Sequence, residues 1–136
     1  ILSSEGYKVV SLSLNGFTGK NIINKTNLSF NDLLNYLYHA DLFIGLGSGL
    51  SWANWVLDKK TIMINGFSVI DHEFMNNILK IQNINECNGC WNNKNFQFDA
   101  GDWDWCPIHK NTERQHICQK SITPERVYKE IKQYLI

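Results

Sequence analysis

Apolar and polar positions along the first half of the chain predict strands that alternate with helices. Residues 7–14 are rich in β-branched and apolar side chains, which favours a strand, and residues 15–28 have the glycines and asparagines of a loop. Short apolar runs at 41–46 and 61–65 predict two buried strands. This alternation predicts an α/β fold with a parallel, Rossmann-like sheet and flanking helices.

Three segments carry the signals of helices. Ser29 and Asp32 form a capping box, a glycine- and serine-rich start opens a helix over 47–57, and Thr123 with Pro124 opens the last one. The first helix should bury one face, formed by Phe30, Leu33, Leu34, Leu37 and Tyr38. The last, about 12 residues long, should bury Val127, Ile131, Tyr134 and Leu135.

The character of the chain changes after residue 82. Residues 83–120 are polar, rich in Asn, Trp and Cys, and show no helical period. A stretch of this length is too long for an ordinary connection, so something must hold it in place. We therefore predict three parts, namely a Rossmann-like part over 1–82, a cysteine-rich segment over 83–120, and a C-terminal helix over 121–136 that packs on the domain.

Composition excludes several classes of protein. The 136 residues include 13 Lys and Arg against 13 Asp and Glu, a balance that argues against a nucleic-acid or membrane-surface partner. With 43% hydrophobic residues, the chain can bury a core. No apolar run is long enough to span a membrane, and no signal peptide opens the chain, so we expect a cytoplasmic protein. Because the first residue is Ile1, we also expect a fragment.

All four cysteines lie within the polar segment, namely Cys87, Cys90, Cys106 and Cys118. A Cys-x-x-Cys pair with two further cysteines nearby favours a closed, tetrahedral, structural site for zinc or iron. Two disulfides, free thiols and a redox Cys-x-x-Cys are the alternatives. Trp91, Trp103 and Trp105 crowd the same segment, where we expect them to pack as a local core rather than form a stacking platform.

A glycine-rich turn offers a second candidate site. Gly45, Gly47 and Gly49 lie where a predicted strand becomes a helix, a junction at which backbone N–H groups and the helix dipole can bind phosphate. Ser48 and Ser51 could add hydroxyl donors. The alternative is a tight turn without a ligand. Leu50 and Asn65 stand where a nicotinamide-dinucleotide fingerprint requires Gly and an acid, so that cofactor is not expected.

Together these motifs resemble one family. The runs DLFIGLGSGLSWANW, NGFSVIDHEF, CNGCW and FDAGDWDWCP, followed by a last cysteine, are similar to the bacterial autotransporter heptosyltransferases. These enzymes move heptose from ADP-heptose onto serine hydroxyls of autotransporters, have two Rossmann-like domains in the GT-B architecture, and are related to the lipopolysaccharide heptosyltransferases. The resemblance covers nearly the whole chain and implies the C-terminal half of such a fold.

The resemblance implies roles for specific residues. It assigns a donor-binding site to Gly47, Ser48, Gly49, Leu50, Ser51, Asn65, Gly66, Phe67, Ser68 and Glu73, with the first five at the diphosphate. It makes Cys87, Cys90, Cys106 and Cys118 the ligands of an iron finger, although their spacing does not distinguish iron from zinc. It also implies an acceptor protein as partner and a homo-oligomer.

The same resemblance implies that part of the enzyme lies elsewhere. The N-terminal domain of the family, which should carry the acceptor site and the catalytic base, has no counterpart in this sequence, so no catalytic residue is assigned and the chain alone should bind donor without turnover. The alternative function is a non-catalytic, metal-stapled α/β module that binds a protein or another nucleotide. A thiol redox protein is a third, weaker option.

Overall fold

A computed structural model describes residues 1–135 and shows five short strands, all paired in parallel. Strands β1 (Val9–Ser11) and β2 (Ile22–Asn24) form one pair. Strands β3 (Phe43–Leu46), β4 (Thr61–Ile64) and β5 (Ile78–Ile81) form a second sheet in the order β3-β4-β5. The prediction of an α/β fold with a parallel sheet is confirmed.

Helices occupy the connections and the C-terminal end. They are α1 (Phe30–His39), α2 (Gly49–Val56), α3 (Ile117–Lys120) and α4 (Pro124–Ile131), with short 3-10 turns at Cys90–Asn92 and Lys132–Tyr134. The predicted caps are present, because the hydroxyl of Ser29 accepts from the N–H of Asp32 and that of Thr123 accepts from the N–H of Arg126. None of the helices in the described residues has the length and apolarity to cross a membrane.

The core lies between the three-stranded sheet and α4. Its buried members are Ile62, Ile81, Ile122, Val127 and Ile131. Tyr134 and Leu135 pack against it as predicted, although they follow α4 rather than belong to it. The opposite face of β4 meets α2, where Asn54 is fully buried and its amide donates to the hydroxyl of Thr61 over 2.9 Å. The central strand is therefore covered on both faces.

Several local predictions were wrong. The strand predicted over 7–14 is only three residues long, and β2 lies inside the predicted loop. On α1, Leu37 is buried as expected, but Phe30 and Tyr38 are exposed. The segment without a helical period contains α3. The two short strands β1 and β2 pair with each other, so their formation depends on that pairing and not only on the pattern of each segment.

Candidate functional site

The glycine-rich turn joins the carboxyl end of β3 to the start of α2. Ser48 is the N-cap, and its N–H donates to the hydroxyl of Ser51 over 3.0 Å. That hydroxyl in turn donates to the carbonyl of Ser48 over 2.7 Å, so the fully buried Ser51 serves the cap itself. Gly49 and Leu50 begin the helix, and their N–H groups have no acceptor within it, whereas the N–H of Ser51 donates to the carbonyl of Ser48 over 3.1 Å. The turn thus offers backbone donors at the positive end of a helix dipole.

A second turn follows β4 and is organised by one buried amide. The carbonyl oxygen of the Asn65 side chain accepts from the N–H and the hydroxyl of Ser68, over 3.3 and 3.0 Å. Its amide nitrogen donates to the carbonyl of Val69 over 3.4 Å. Because Asn65 and Ser68 are both buried, these bonds fix the shape of the turn and present Phe67 beside the glycine-rich turn.

Glu73 reaches this region from the loop before β5. Its Oε1 lies so near Gly47 that a Cβ atom built on that glycine would be 2.6 Å away. Its Oε2 is buried and has no hydrogen-bond partner within residues 1–135. Lys80 of β5 holds the loop, since its ammonium donates to the carbonyl of Ile70 over 2.8 Å and also to that of His72. Burial lowers the pKa of Lys80, against the opposing effect of the Glu73 and Asp71 carboxylates.

A cavity of about 440 Å³ lies between these turns. Five of the ten predicted donor-site residues line it, namely Gly47, Asn65, Phe67, Ser68 and Glu73. The other five, Ser48, Gly49, Leu50, Ser51 and Gly66, belong to the same two turns but do not line the cavity. Its remaining wall is formed by Leu46, at the predicted strand end beside this crevice, and by Trp52, Ile64, His72, Trp91 and Gln119, which were not predicted as donor-site residues. Within the described residues, neither Lys nor Arg lines the cavity.

All four cysteines are unpaired thiols, and Cys90, Cys106 and Cys118 are buried. Burial raises the pKa of the Cys118 thiol to about 11, and the charges of Cys87, Cys90 and Cys106 contribute to the increase. Burial likewise raises the pKa values of Cys87 and Cys90. Charges act at a distance, so these effects place the four thiols in one region without requiring contact between them. In the part of the chain that the structure describes, however, no three His, Cys, Asp or Glu side chains are arranged to hold a metal ion.

The Cys87–Cys90 segment packs directly on the turn after β4. The N–H of Gly89 donates to the carbonyl of Gly66, and that of Trp91 to the carbonyl of Phe67, each over 3.1 Å. From the other side, the carbonyl oxygen of Cys118 would be only 2.5 Å from a Cβ atom at Gly66. The cysteine segment therefore forms part of the wall that supports the cavity.

A second cavity of about 400 Å³ lies against the cysteine segment. In its lining, the Trp105 ring packs edge to face against the rings of Phe67 and Phe98, with centroids 5.6 and 5.2 Å apart, respectively. Trp105 is buried, so the expected packing role holds for it, but Trp103 is 99% exposed and the packing prediction was wrong there. Phe67 and Gln119 line both cavities, which are therefore neighbours.

Comparisons with known proteins place these features in a wider context. No family model matches the chain. It is 37% identical over 136 residues to the autotransporter heptosyltransferase Aah of Escherichia coli, covering 93% of this chain and 34% of Aah. It is 33% identical over 97 residues to the inactive autotransporter heptosyltransferase BimC of Burkholderia thailandensis, covering 71% of this chain and 23% of BimC.

A solved structure is also similar. It is that of the dodecameric iron-containing heptosyltransferase TibC, from enterotoxigenic E. coli H10407, in complex with ADP-D-β-D-heptose. The TM-score is 0.85 and the identity 35%, over 98% of this chain and 37% of TibC. The chain thus spans between about a quarter and just over a third of the length of these relatives.

Proposed function

The chain is homologous to the C-terminal part of the autotransporter heptosyltransferases, and from that premise we propose that it forms the donor-binding part of a glycosyltransferase. The proposed enzyme transfers heptose from ADP-heptose to serine hydroxyls of an acceptor protein. The observation that carries this proposal is the cavity between the glycine-rich turn and the turn after β4. In parallel α/β sheets, ligands bind at the carboxyl ends of the strands, and both turns lie there.

The chemistry is a displacement of a diphosphate. A serine oxygen forms a bond to the anomeric carbon of heptose, the bond from that carbon to the β-phosphate oxygen breaks, and the serine proton passes to a base that this sequence does not identify. Negative charge grows on the departing ADP. Backbone donors at the start of α2, which follows the cavity-lining Gly47, would stabilise that charge, because donors fixed by the fold need no reorientation during the reaction.

Calorimetry with two serine variants tests the donor site. Ser48→Asp puts a carboxylate at the helix N-cap, and we expect it to abolish ADP-heptose binding by repelling the diphosphate. Ser13→Asp adds the same charge to an exposed loop and should bind like the parent chain. Undiminished binding by the Ser48 variant would overturn the proposal, as would a preference for UDP- or GDP-sugars over ADP-sugars in ligand-observed NMR.

We also propose that Cys87, Cys90, Cys106 and Cys118 hold one structural iron or zinc ion. Four cysteine thiolates suit either metal, and TibC is described as iron-containing. The ion would stabilise the 83–120 segment, which contributes few residues to the core. Elemental analysis of reduced, purified protein should find one equivalent of metal, and none after Cys90→Ser.

BimC supports a second candidate function. Because that relative is described as inactive, a chain of this fold can exist without heptosyl transfer. The alternative is a metal-stapled module that binds a nucleotide or a protein without turnover. Single-turnover assays with ADP-heptose and an acceptor autotransporter, made with the complete natural protein, distinguish the two functions. Heptose incorporation supports the enzyme, and donor binding without incorporation supports the module.

A further inference from the structure

His72 lines the first cavity and is held from three directions. Its backbone N–H donates to the carbonyl of Val69 over 3.1 Å, and its own carbonyl accepts from the ammonium of Lys80. Its ring nitrogen Nδ1 lies 3.0 Å from the side-chain amide nitrogen of Asn92. The sequence analysis assigned no role to either His72 or Asn92.

The Asn92 amide determines which ring nitrogen carries the proton. Its oxygen Oδ1 accepts from the backbone N–H of Val69 over 3.0 Å, and a backbone N–H can only donate. The atom facing His72 is therefore the NH₂ group, which also can only donate. Nδ1 must then be the acceptor, so the neutral ring carries its proton on Nε2.

The Nε2–H group is free to meet a ligand. The ring is half-buried, and Nε2 has no partner within residues 1–135, yet it is not among the buried polar atoms. It is thus an accessible donor on a side chain that lines the cavity. No Lys or Arg in the described residues lines that cavity, and the neighbouring Glu73 is an acceptor. Phosphate oxygens can only accept, so a fixed neutral donor is the complement they need.

We propose that His72 donates a hydrogen bond from Nε2 to a diphosphate oxygen of the nucleotide-sugar, and that Asn92 is the positioning residue that fixes the donor. This rests on the proposed donor function. His72 then binds the departing ADP together with the backbone donors of α2.

Calorimetry tests the contact. We expect His72→Phe to weaken ADP binding by about tenfold or more, with no effect on adenosine. His72→Gln places an amide donor near the original Nε2 and should restore most of the affinity. His39→Phe, at the exposed end of α1, is the matched control. Equal ADP affinity in the parent chain and His72→Phe would overturn the proposal, and so would an equal loss for adenosine.

Nitrogen NMR of the ligand-free chain tests the positioning. The parent chain should show the Nε2–H tautomer of His72. The Asn92→Asp variant keeps one oxygen that accepts from the backbone N–H of Val69. Its second carboxylate oxygen, which faces the His72 ring, can only accept. The ring proton should therefore move to Nδ1, and ADP binding should weaken. An Nδ1–H tautomer in the parent chain would overturn the proposal. If the parent chain shows the expected tautomer but binds no ADP, the donor function fails together with the ligand contact.

Discussion

At the scale of single residues, two glycines of the same turn differ in what surrounds them. Gly47 faces the carboxylate of Glu73, whereas nothing lies within 4 Å of a Cβ atom built on Gly49. Both were predicted from one motif, which is why the sequence could not separate their roles. The distinction comes from Glu73, which is 26 positions away along the chain from Gly47 and reaches the turn only through the fold.

Gly47→Ala should therefore reduce ligand affinity with little loss of stability. The new methyl group would push the Glu73 carboxylate aside, and a flexible side chain can move at low cost. Gly101→Ala, in an exposed loop outside both turns of the cavity, is the control and should leave affinity unchanged. Calorimetry and thermal unfolding of both variants provide the test. Equal affinities for the two variants would contradict a close contact between Gly47 and Glu73.

The Cys118 thiol predicts how stability depends on pH. Its pKa is about 11 in the folded chain and 9.0 as the reference value, so above pH 9 the unfolded chain loses this proton first. In metal-free, reduced protein, the free energy of unfolding should not depend on this thiol below pH 9. It should fall by about 2 kcal/mol between pH 9 and pH 11. Urea unfolding across this range measures the loss, and Cys118→Ala should reduce it, leaving the part due to Cys87 and Cys90, whose pKa values burial also raises.

At the scale of elements, strands β3 and β4 and helices α1, α2 and α4 were predictable because their patterns and caps are local. Strand β5 was not, since Lys80 interrupts an apolar run and its charge is stabilised by carbonyls of the preceding loop. The residues that line the first cavity also divide into predictable and unpredictable ones. Gly47 and Asn65 follow predicted strands, whereas Trp91 and Gln119 come from a segment whose placement depends on contacts with the turn after β4.

Gly66→Ala should show how firmly that turn is packed. The added methyl group would collide with the backbone carbonyl of Cys118, which cannot move without shifting α3. We expect a loss of about 2 kcal/mol or more in the free energy of unfolding. Gly101→Ala, in an exposed loop where the nearest atom is 3.3 Å from the new carbon, should cost much less. Chemical denaturation of both variants measures the difference.

At the scale of the whole molecule, two kinds of stabilisation are combined in one chain. The sheet and α4 share an apolar core, while the segment from 83 to 116 contributes no member to it. Its buried residues are instead those of the cysteine region, including Cys90, Trp105 and Cys106. The proposed metal would therefore stabilise one region much more than the other.

Removal of the metal should reveal this difference in stability between the cysteine region and the apolar core. After chelation under reducing conditions, we expect amide hydrogens in residues 83–116 to exchange much faster, while those of β4 and α4 remain protected. The turn at Gly66 and Phe67 should show an intermediate effect because it accepts hydrogen bonds from the cysteine segment. Hydrogen exchange followed by mass spectrometry measures all three. Uniform exchange throughout the chain would contradict this division.

The position of Lys80 also bears on the colloidal behaviour of the protein. Among the described strands, β5 pairs only with β4, so one side of it is an open sheet edge. Edges of this kind can recruit strands from other molecules. The only charge in β5 is that of Lys80, whose ammonium is held by the carbonyls of Ile70 and His72. Lys80→Val would leave an uninterrupted apolar edge, and light scattering should then reveal aggregation at concentrations at which the parent chain stays clear.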